Sequence, residues 1–400
     1  MRIDLVYPTL PPALNGIGDY TAHMAQALAE QGATVRILTE GTTALAHPDV
    51  EIVPAFTVAP RSGVRGLVDA VEAAPPDWLI LQFEQFSYGR WGLNPYLPLT
   101  LATLHRRLPE TRLALMAHED FASVAEGPKF AVMSLWQRPQ FWALGRLADH
   151  VFLSIDAWAQ KYRSWFPNVP VDHLPVGSNI PRGAHTRAEA RSQFQLPPEA
   201  FMVGLFGSAH PSRQLDRVGA VLSHLRSLRP NVEALYVGAS GSAVRAALPA
   251  DVPLHDVGPL PAEDVSTCFS AMDLYLSPFR HGVSTRRGSF LVGIQHGVPT
   301  LSTSGQETDA LLHAANGEAF VLAPWADAAA FRTAAERLVL DAEVRRRLGR
   351  AGERFFETTF SWARLARQLI AALTSSPAAT APTRAETGSA PTSHQSAAAK

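Results

Sequence analysis

The sequence predicts an α/β protein made of two tandem doubly wound domains that face each other across a cleft. Three observations predict it: the length, the alternation of short apolar runs with amphipathic stretches, and the return of that alternation in the second half. The chain has 400 residues, and at roughly 100–200 residues per domain that is room for two. Apolar residues make up 46% and charged residues 18%, a balance that lets a substantial core form.

In the first half, Ile3 to Tyr7 reads as a strand. A loop rich in Pro and Gly follows, then an amphipathic helix from about Asp19 to Gln31, which Gly32 ends. Further strands are expected from Thr34 to Leu38, Trp78 to Phe83, Leu113 to Ala117 and Val151 to Ser154. Strand–helix alternation implies crossover units and a parallel sheet, and this first domain is expected over residues 1–178. The run Val176 to Gly183, rich in Gly, Ser and Pro, reads as the linker.

A second series places strands at Met202–Phe206, Ala234–Val237, Leu274–Leu276, Pro299–Ser302 and Ala319–Leu322. That is a second parallel sheet, in a domain over 185–355. A C-terminal helix is expected over 356–374, with Ser361 as N-cap of its last stretch. Residues 375–400 are Ala, Pro, Thr and Ser with little else, so that tail is expected to be disordered. In such sheets ligands sit at the carboxyl ends of the strands. Two facing sites suit an enzyme that joins two substrates.

The formal net charge of -1 argues against nucleic acid as a partner. A local basic pocket for one anionic ligand remains compatible with it. The single cysteine, Cys268, allows no internal disulfide and fits a reducing compartment. The opening residues are too few and too polar for a signal peptide, and no stretch of about 18 apolar residues is present. A soluble cytoplasmic location is expected, with peripheral contact at the inner face of a membrane left open.

The first chemical motif is Leu14-Asn15-Gly16-Ile17-Gly18-Asp19-Tyr20, between the first strand and its helix. Glycines there let a ligand approach the backbone, and a helix N-terminus offers free N–H groups to an anion. The alternative is a plain strand-to-helix turn. The third glycine of a dinucleotide fingerprint is missing and Glu40 falls late after the second strand, so a nicotinamide cofactor is not expected.

Together with Pro11-Pro12-Ala13 before it, this loop resembles the opening loop of glycosyltransferase family four (group 1), retaining enzymes of the GT-B fold with two Rossmann-like domains. The resemblance continues in order. It runs through Ala148 to Ser154 (the "A-D-x-V-x-x-x-S" strand), His173 to Asn179, Gly204 to Gly207, Leu235 to Gly238, Val257 to Leu260 and Ala271 to Pro278. It ends at His296-Gly297-Val298-Pro299-Thr300 and covers about residues 1–374. It implies a nucleotide-sugar donor held as substrate by the second domain, no separate cofactor, and an acceptor on the first. That acceptor would be a glycan, a lipid-linked sugar or a small molecule, with polysaccharide assembly the usual setting.

The resemblance also assigns residues. The family places an Arg after the glycine of the first strand of the second domain and a Lys a few residues on. Here Gly207 is followed by Ser208 in the Arg place, and Arg213 matches the Lys place. A diphosphate gains charge as its bond to the sugar breaks, so cations are needed. Ser284-Thr285-Arg286-Arg287-Gly288-Ser289, hydroxyls and two arginines at a helix start, make a candidate anion cradle. Its alternative is a pair of arginines on a surface turn. Donor contact is therefore expected from Gly207, Ser208, Arg213, Ser284, Arg286, Arg287, Gly288 and Ser289. The same stretch holds the main departure. Where the family carries two glutamates separated by seven residues, the register set by Gly297 places Ser284 and Val292.

His118, at the end of the Leu113–Ala117 strand, resembles the family's histidine facing the donor sugar and is the candidate catalytic group. Acceptor contact is expected from Asn15, Gly16, Gly18, Asp19, Glu84 and Glu119, with Glu84 read equally as a strand-end residue that simply faces solvent. The aromatic segment Phe86 to Tyr96 is read two ways, as an acceptor-binding lid or as a loop packed on Trp136 and Trp142. No metal site is expected, since neither zinc spacing, a phosphate-binding P-loop nor an Asp-x-Asp dyad is present. Two alternatives accompany the transferase reading. One is a catalytically inactive GT-B protein binding a glycan or a partner enzyme, motivated by the missing glutamates. The other is a sugar-nucleotide epimerase on the same scaffold.

Overall fold

A computed structural model describes residues 1–41, 48–124 and 127–376. The expected tail from 377 onward lies outside the described residues. Among them the first sheet has seven parallel strands: β1 Arg2–Val6, β2 Thr34–Glu40, β3 Val50–Phe56, β4 Trp78–Phe83, β5 Arg112–Ala117, β6 His150–Leu153 and β7 Val171–His173. Their order is β3-β2-β1-β4-β5-β6-β7. The second sheet has six: β8 Phe201–Phe206, β9 Val232–Val237, β10 Leu254–Asp256, β11 Leu274–Ser277, β12 Thr300–Ser304 and β13 Val321–Pro324, in the order β10-β9-β8-β11-β12-β13. The two-domain α/β expectation is met.

The packing follows from the period of two along each strand. Leu79, Leu81 and Phe83 of β4 join one core cluster, whereas Trp78 and Ile80 join another. In β5, Leu113, Leu115 and Ala117 go one way and Ala114 and Met116 the other. Both faces are covered, which is why β4 is apolar almost throughout and buried along its whole length.

The last helix, Trp362–Ser375, returns to the first domain. Leu365, Ala366, Leu369 and Leu373 recur at helical spacing and pack with Tyr20, Met24 and Leu28. Gln368 Nε2 donates to the carbonyl of His173 at 2.9 Å, and Trp362 Nε1 to that of Ser178 at 2.9 Å. Ser361 sits at the N-cap position, but its side chain does not cap. Its hydroxyl donates backward to Glu357 O at 2.7 Å. The helix also runs one residue past the expected end, and Ser376 Oγ lies 2.6 Å from His150 Nδ1.

Buried polar bonds hold the domains together. Asp309 accepts from the backbone N–H of Asp156 at 2.6 Å and of Thr285 at 2.7 Å. The Thr285 hydroxyl donates to Ser154 O at 2.8 Å. Its one proton is thereby used, so His173 Nε2, 2.8 Å away, donates to it.

Candidate functional site

β1 and β4 are neighbours whose chain connections leave in opposite directions, and so are β8 and β11. These reversals in strand order are where open α/β sheets bind ligands. Between the domains lies a cleft of about 780 Å³. Of the residues singled out from the sequence, Asn15, Gly16, Asp19, Glu84, His118, Glu119, Gly207, Ser208, Arg213, Arg286, Arg287, Gly288 and Ser289 line it.

Two do not. A Cβ at Gly18 would stand 2.3 Å from the Thr9 carbonyl oxygen, so that glycine serves close packing of helix against loop. Ser284 is fully buried. Its neighbour Thr285 is tied to Ser154 and Asp309, and this stitch turns Ser284 into the protein, where its hydroxyl has no partner among the described residues.

The helix Gly16–Glu30 does not offer the N–H groups of Ile17, Gly18 and Asp19 to an anion, as the sequence reading expected. Asn15 Oδ1 accepts from Ile17 N and Gly18 N at 3.0 Å each, and Asp19 N is bonded to Asn15 O at 2.9 Å. Asn15 is an N-cap, and Tyr7 Oη donates to the same Oδ1 at 3.0 Å. Gly16 keeps open space where a Cβ would point.

His118 is buried at the end of β5, its ring edge-on to Tyr20 with centroids 4.6 Å apart. Burial pushes its pKa down to about 3, so the imidazole is neutral at physiological pH. Nε2 lies 2.9 Å from Gln82 Oε1. With that oxygen accepting, Nε2 carries the proton and Nδ1 is left to accept from a ligand. Glu84 accepts from Phe86 N at 3.0 Å and from Ser87 Oγ at 2.8 Å. Burial holds its carboxyl above the usual range, with the charge of Glu119 adding to the effect. Glu119 is already engaged, by Gln85 Nε2 at 3.1 Å and by Arg286 Nη1 at 2.9 Å. Asp19 has no side-chain partner among the described residues.

On the opposite wall Gly207 has φ +99°, a conformation that suits glycine. Arg213 Nη2 donates to Ser289 Oγ at 2.7 Å. Arg213 and Arg287 each lie 4.9 Å from the centre of the Phe279 ring. Burial, and then the charge of Arg286, bring the pKa of Arg287 down to about 10, so it stays charged near neutrality. Arg286 also approaches Glu307 at 3.6 Å. Arg213 and Arg287 have no carboxylate within ion-pair distance among the described residues.

Tyr7, Tyr20, Phe206, Asn179 and Ile180 also line the cleft and were given no site role from the sequence, although Tyr20 closes the glycine motif. Tyr7 follows the carboxyl end of β1, a position that could have flagged it. The aromatic segment takes the packing role. Trp136 Nε1 and Gln137 Nε2 donate to Trp91 O at 2.9 and 3.1 Å, and Gln140 Nε2 donates to Gly92 O at 3.2 Å. None of residues 86–96 lines the cleft.

No family model matches the chain. A D-inositol 3-phosphate glycosyltransferase of Streptomyces avermitilis is 26% identical over 393 residues, covering 87% of this chain and 80% of the relative. Sucrose-phosphate synthase of Thermosynechococcus elongatus superposes with a TM-score of 0.69 at 18% identity, covering 93% of this chain and all of the other. HepE of Anabaena, solved with UDP and glucose, has a TM-score of 0.65 at 14% identity, over 94% of this chain and 100% of its own. The fold is therefore that of the GT-B glycosyltransferases, two parallel-sheet domains with a cleft between them. The Streptomyces relative is named a glycosyltransferase, and the solved structures that share this fold include the glycosyltransferase WaaG and a putative UDP-N-acetylglucosamine 2-epimerase from Listeria monocytogenes, with a TM-score of 0.59 at 15% identity.

Proposed function

We propose that the protein is a glycosyltransferase that moves a sugar from a nucleotide-sugar donor to an acceptor, with retention and without a metal. The observation that carries this reading is the pair Arg213 and Arg287. Two buried or half-buried guanidiniums, free of carboxylates among the described residues, face a large cleft beside Gly207, Ser208 and the start of the helix Gly288–Gln295. That wall suits a diphosphate. The likeness to HepE, which was solved with UDP and glucose, supports the same class of donor.

In this reading the sugar's bond to the diphosphate oxygen breaks, and its electron pair stays on the leaving phosphate. The acceptor hydroxyl attacks from the same face and passes its proton to that phosphate oxygen. Arg213 and Arg287 stabilise the charge that develops, and His118, neutral, orients a sugar hydroxyl through Nδ1. Hydroxyl groups around the acceptor meet Tyr7, Asp19 and Glu84. Closure of the cleft keeps water out. The test is thermal unfolding of the full chain with and without UDP. A ligand at a hundred times its Kd stabilises by about 2.7 kcal/mol. Stabilisation by UDP that falls by about half or more in each of Arg213→Ala and Arg287→Ala supports the reading, and indifference of the wild type to UDP removes it.

The finer partner reading concerns a membrane. No helix among the described residues is long and apolar enough to cross one. The helix Pro128–Leu147 nevertheless exposes Val132, Leu135, Pro139 and Trp142 at helical spacing. Lys129, Arg138 and Arg146 flank them, and the helix contains no acidic residue. Charge and apolar stripe together fit the surface of an anionic bilayer. The first domain would then meet its acceptor at that surface.

A further inference from the structure

The two walls of the cleft carry opposite charge. On the second-domain side the charged lining residues are Arg213, Arg286 and Arg287. On the first-domain side they are Asp19, Glu84 and Glu119. Among the described residues no cation of the first domain lines the cleft, because His118 is held neutral by burial. Arg286 offsets Glu119. Two carboxylates, Asp19 and Glu84, are left without a cationic partner among the described residues.

The hydrogen-bonding capacity of that wall points the same way. The Asp19 carboxylate accepts and is unpartnered among the described residues. Tyr20 lines the cleft at 3% exposure with a hydroxyl that finds no partner in the protein. The start of the helix Gly16–Glu30, where an anion could find several N–H donors, is largely taken up by Asn15, which holds the N–H groups of Ile17 and Gly18 on its own side chain. A phosphate or carboxylate on an acceptor is an acceptor-only anion. Here it would meet the negative charge of Asp19 and Glu84, with the N–H groups of Ile17, Gly18 and Asp19 already engaged, and burying it poorly paired is costly. An ammonium among hydroxyls meets the reverse, a charge it pairs with and acceptors for each of its N–H groups.

We propose that the acceptor is an amine-bearing polyhydroxylated ring, an aminosugar or aminocyclitol, seated against Asp19 and Glu84, and that phosphorylated acceptors are rejected. This rests on the transferase reading given above, and it parts from the phosphorylated substrate named for the Streptomyces relative. Asp19 is the residue that sets the preference, since Glu84 also holds the turn at Phe86 and Ser87.

The experiment is calorimetric titration of the full chain, with saturating UDP present, using three probes: glucosamine, glucose and glucose-6-phosphate. Glucosamine is expected to bind at least about tenfold more tightly than glucose, a difference of about 1.4 kcal/mol, and glucose-6-phosphate not to bind. In Asp19→Asn the preference for glucosamine over glucose should shrink to less than about threefold, with UDP affinity unchanged. Equal binding of glucosamine and glucose, tighter binding of the phosphate, binding of none of the three, or a preference that survives Asp19→Asn would each overturn the proposal. UDP titrated alone separates the two readings. If UDP binds and the amine is not preferred, the acceptor assignment falls while the donor wall stands. If UDP does not bind and the amine does, the converse holds.

Discussion

Arg286 and Glu119 meet across the interdomain cleft, the guanidinium Nη1 lying 2.9 Å from the carboxylate Oε1. One belongs to the loop before the helix Gly288–Gln295 and the other to the loop after β5. The contact therefore links the domains and occupies one of three arginines that a diphosphate would use.

Releasing that arginine should strengthen nucleotide binding. In Glu119→Gln, UDP affinity is expected to rise several-fold, in keeping with the ~0.2–1 kcal/mol of a partly exposed ion pair. Calorimetry on the two proteins decides it. A drop in affinity would mean that Glu119 aims Arg286 and does not compete for it.

Arg213 and Arg287 are expected to matter more. Removing a charge-assisted hydrogen bond costs about 1.5–3 kcal/mol, so each alanine variant should weaken UDP binding by about tenfold or more. Arg213→Lys keeps the charge but loses the planar fork and should fall between. Equal UDP affinity in wild type and both alanine variants would place the diphosphate elsewhere.

Acid should destabilise the fold partly through His118. The unfolded imidazole takes a proton near pH 6.5, whereas burial keeps the native ring unprotonated down to about 3. As pH falls between these values the unfolded state binds a proton that the native state does not. This group's contribution to stability therefore declines, by up to about 1.4 kcal/mol per pH unit. His118→Asn should flatten the pH dependence of chemical unfolding by a corresponding slope. Parallel curves for the two proteins would show that the ring is not held neutral.

Leu369, on the returning helix, is 2% exposed. Leu369→Ala should lower stability by about 2–5 kcal/mol, read as a shift in the urea midpoint with little change in slope. An unchanged midpoint would show that the helix is docked only loosely.

On the surface, Trp142→Ser with Leu135→Ser should abolish sedimentation with vesicles of phosphatidylglycerol and leave UDP binding intact. Wild-type protein that stays in the supernatant would remove the membrane reading.

Much of this architecture is legible in the sequence. The strands that were not foreseen, β3, β7 and β10, all lie at sheet edges. A central parallel strand is covered on both faces and reads as an apolar run. An edge strand is less covered, and β3 even contains Pro54, while β7 and β10 are three residues each. The cleft residues were legible where a strand end or a glycine turn marked them. What stayed hidden was who bonds to whom. Asn15 closing its own helix, Ser284 turned inward by Thr285, and Glu119 meeting Arg286 from the other domain all depend on contacts far apart in the chain or on a single rotamer.

The backbone crosses between the domains twice, once along Val176 to Gly183 and once before Trp362. These crossings touch. The Trp362 ring lies so close under Gly177 that a Cβ there would stand 2.7 Å from its Cε2. Two tethers anchored side by side fix how the domains meet at this edge of the cleft. Any side chain larger than hydrogen at position 177 would push the indole away and prise the two connections apart.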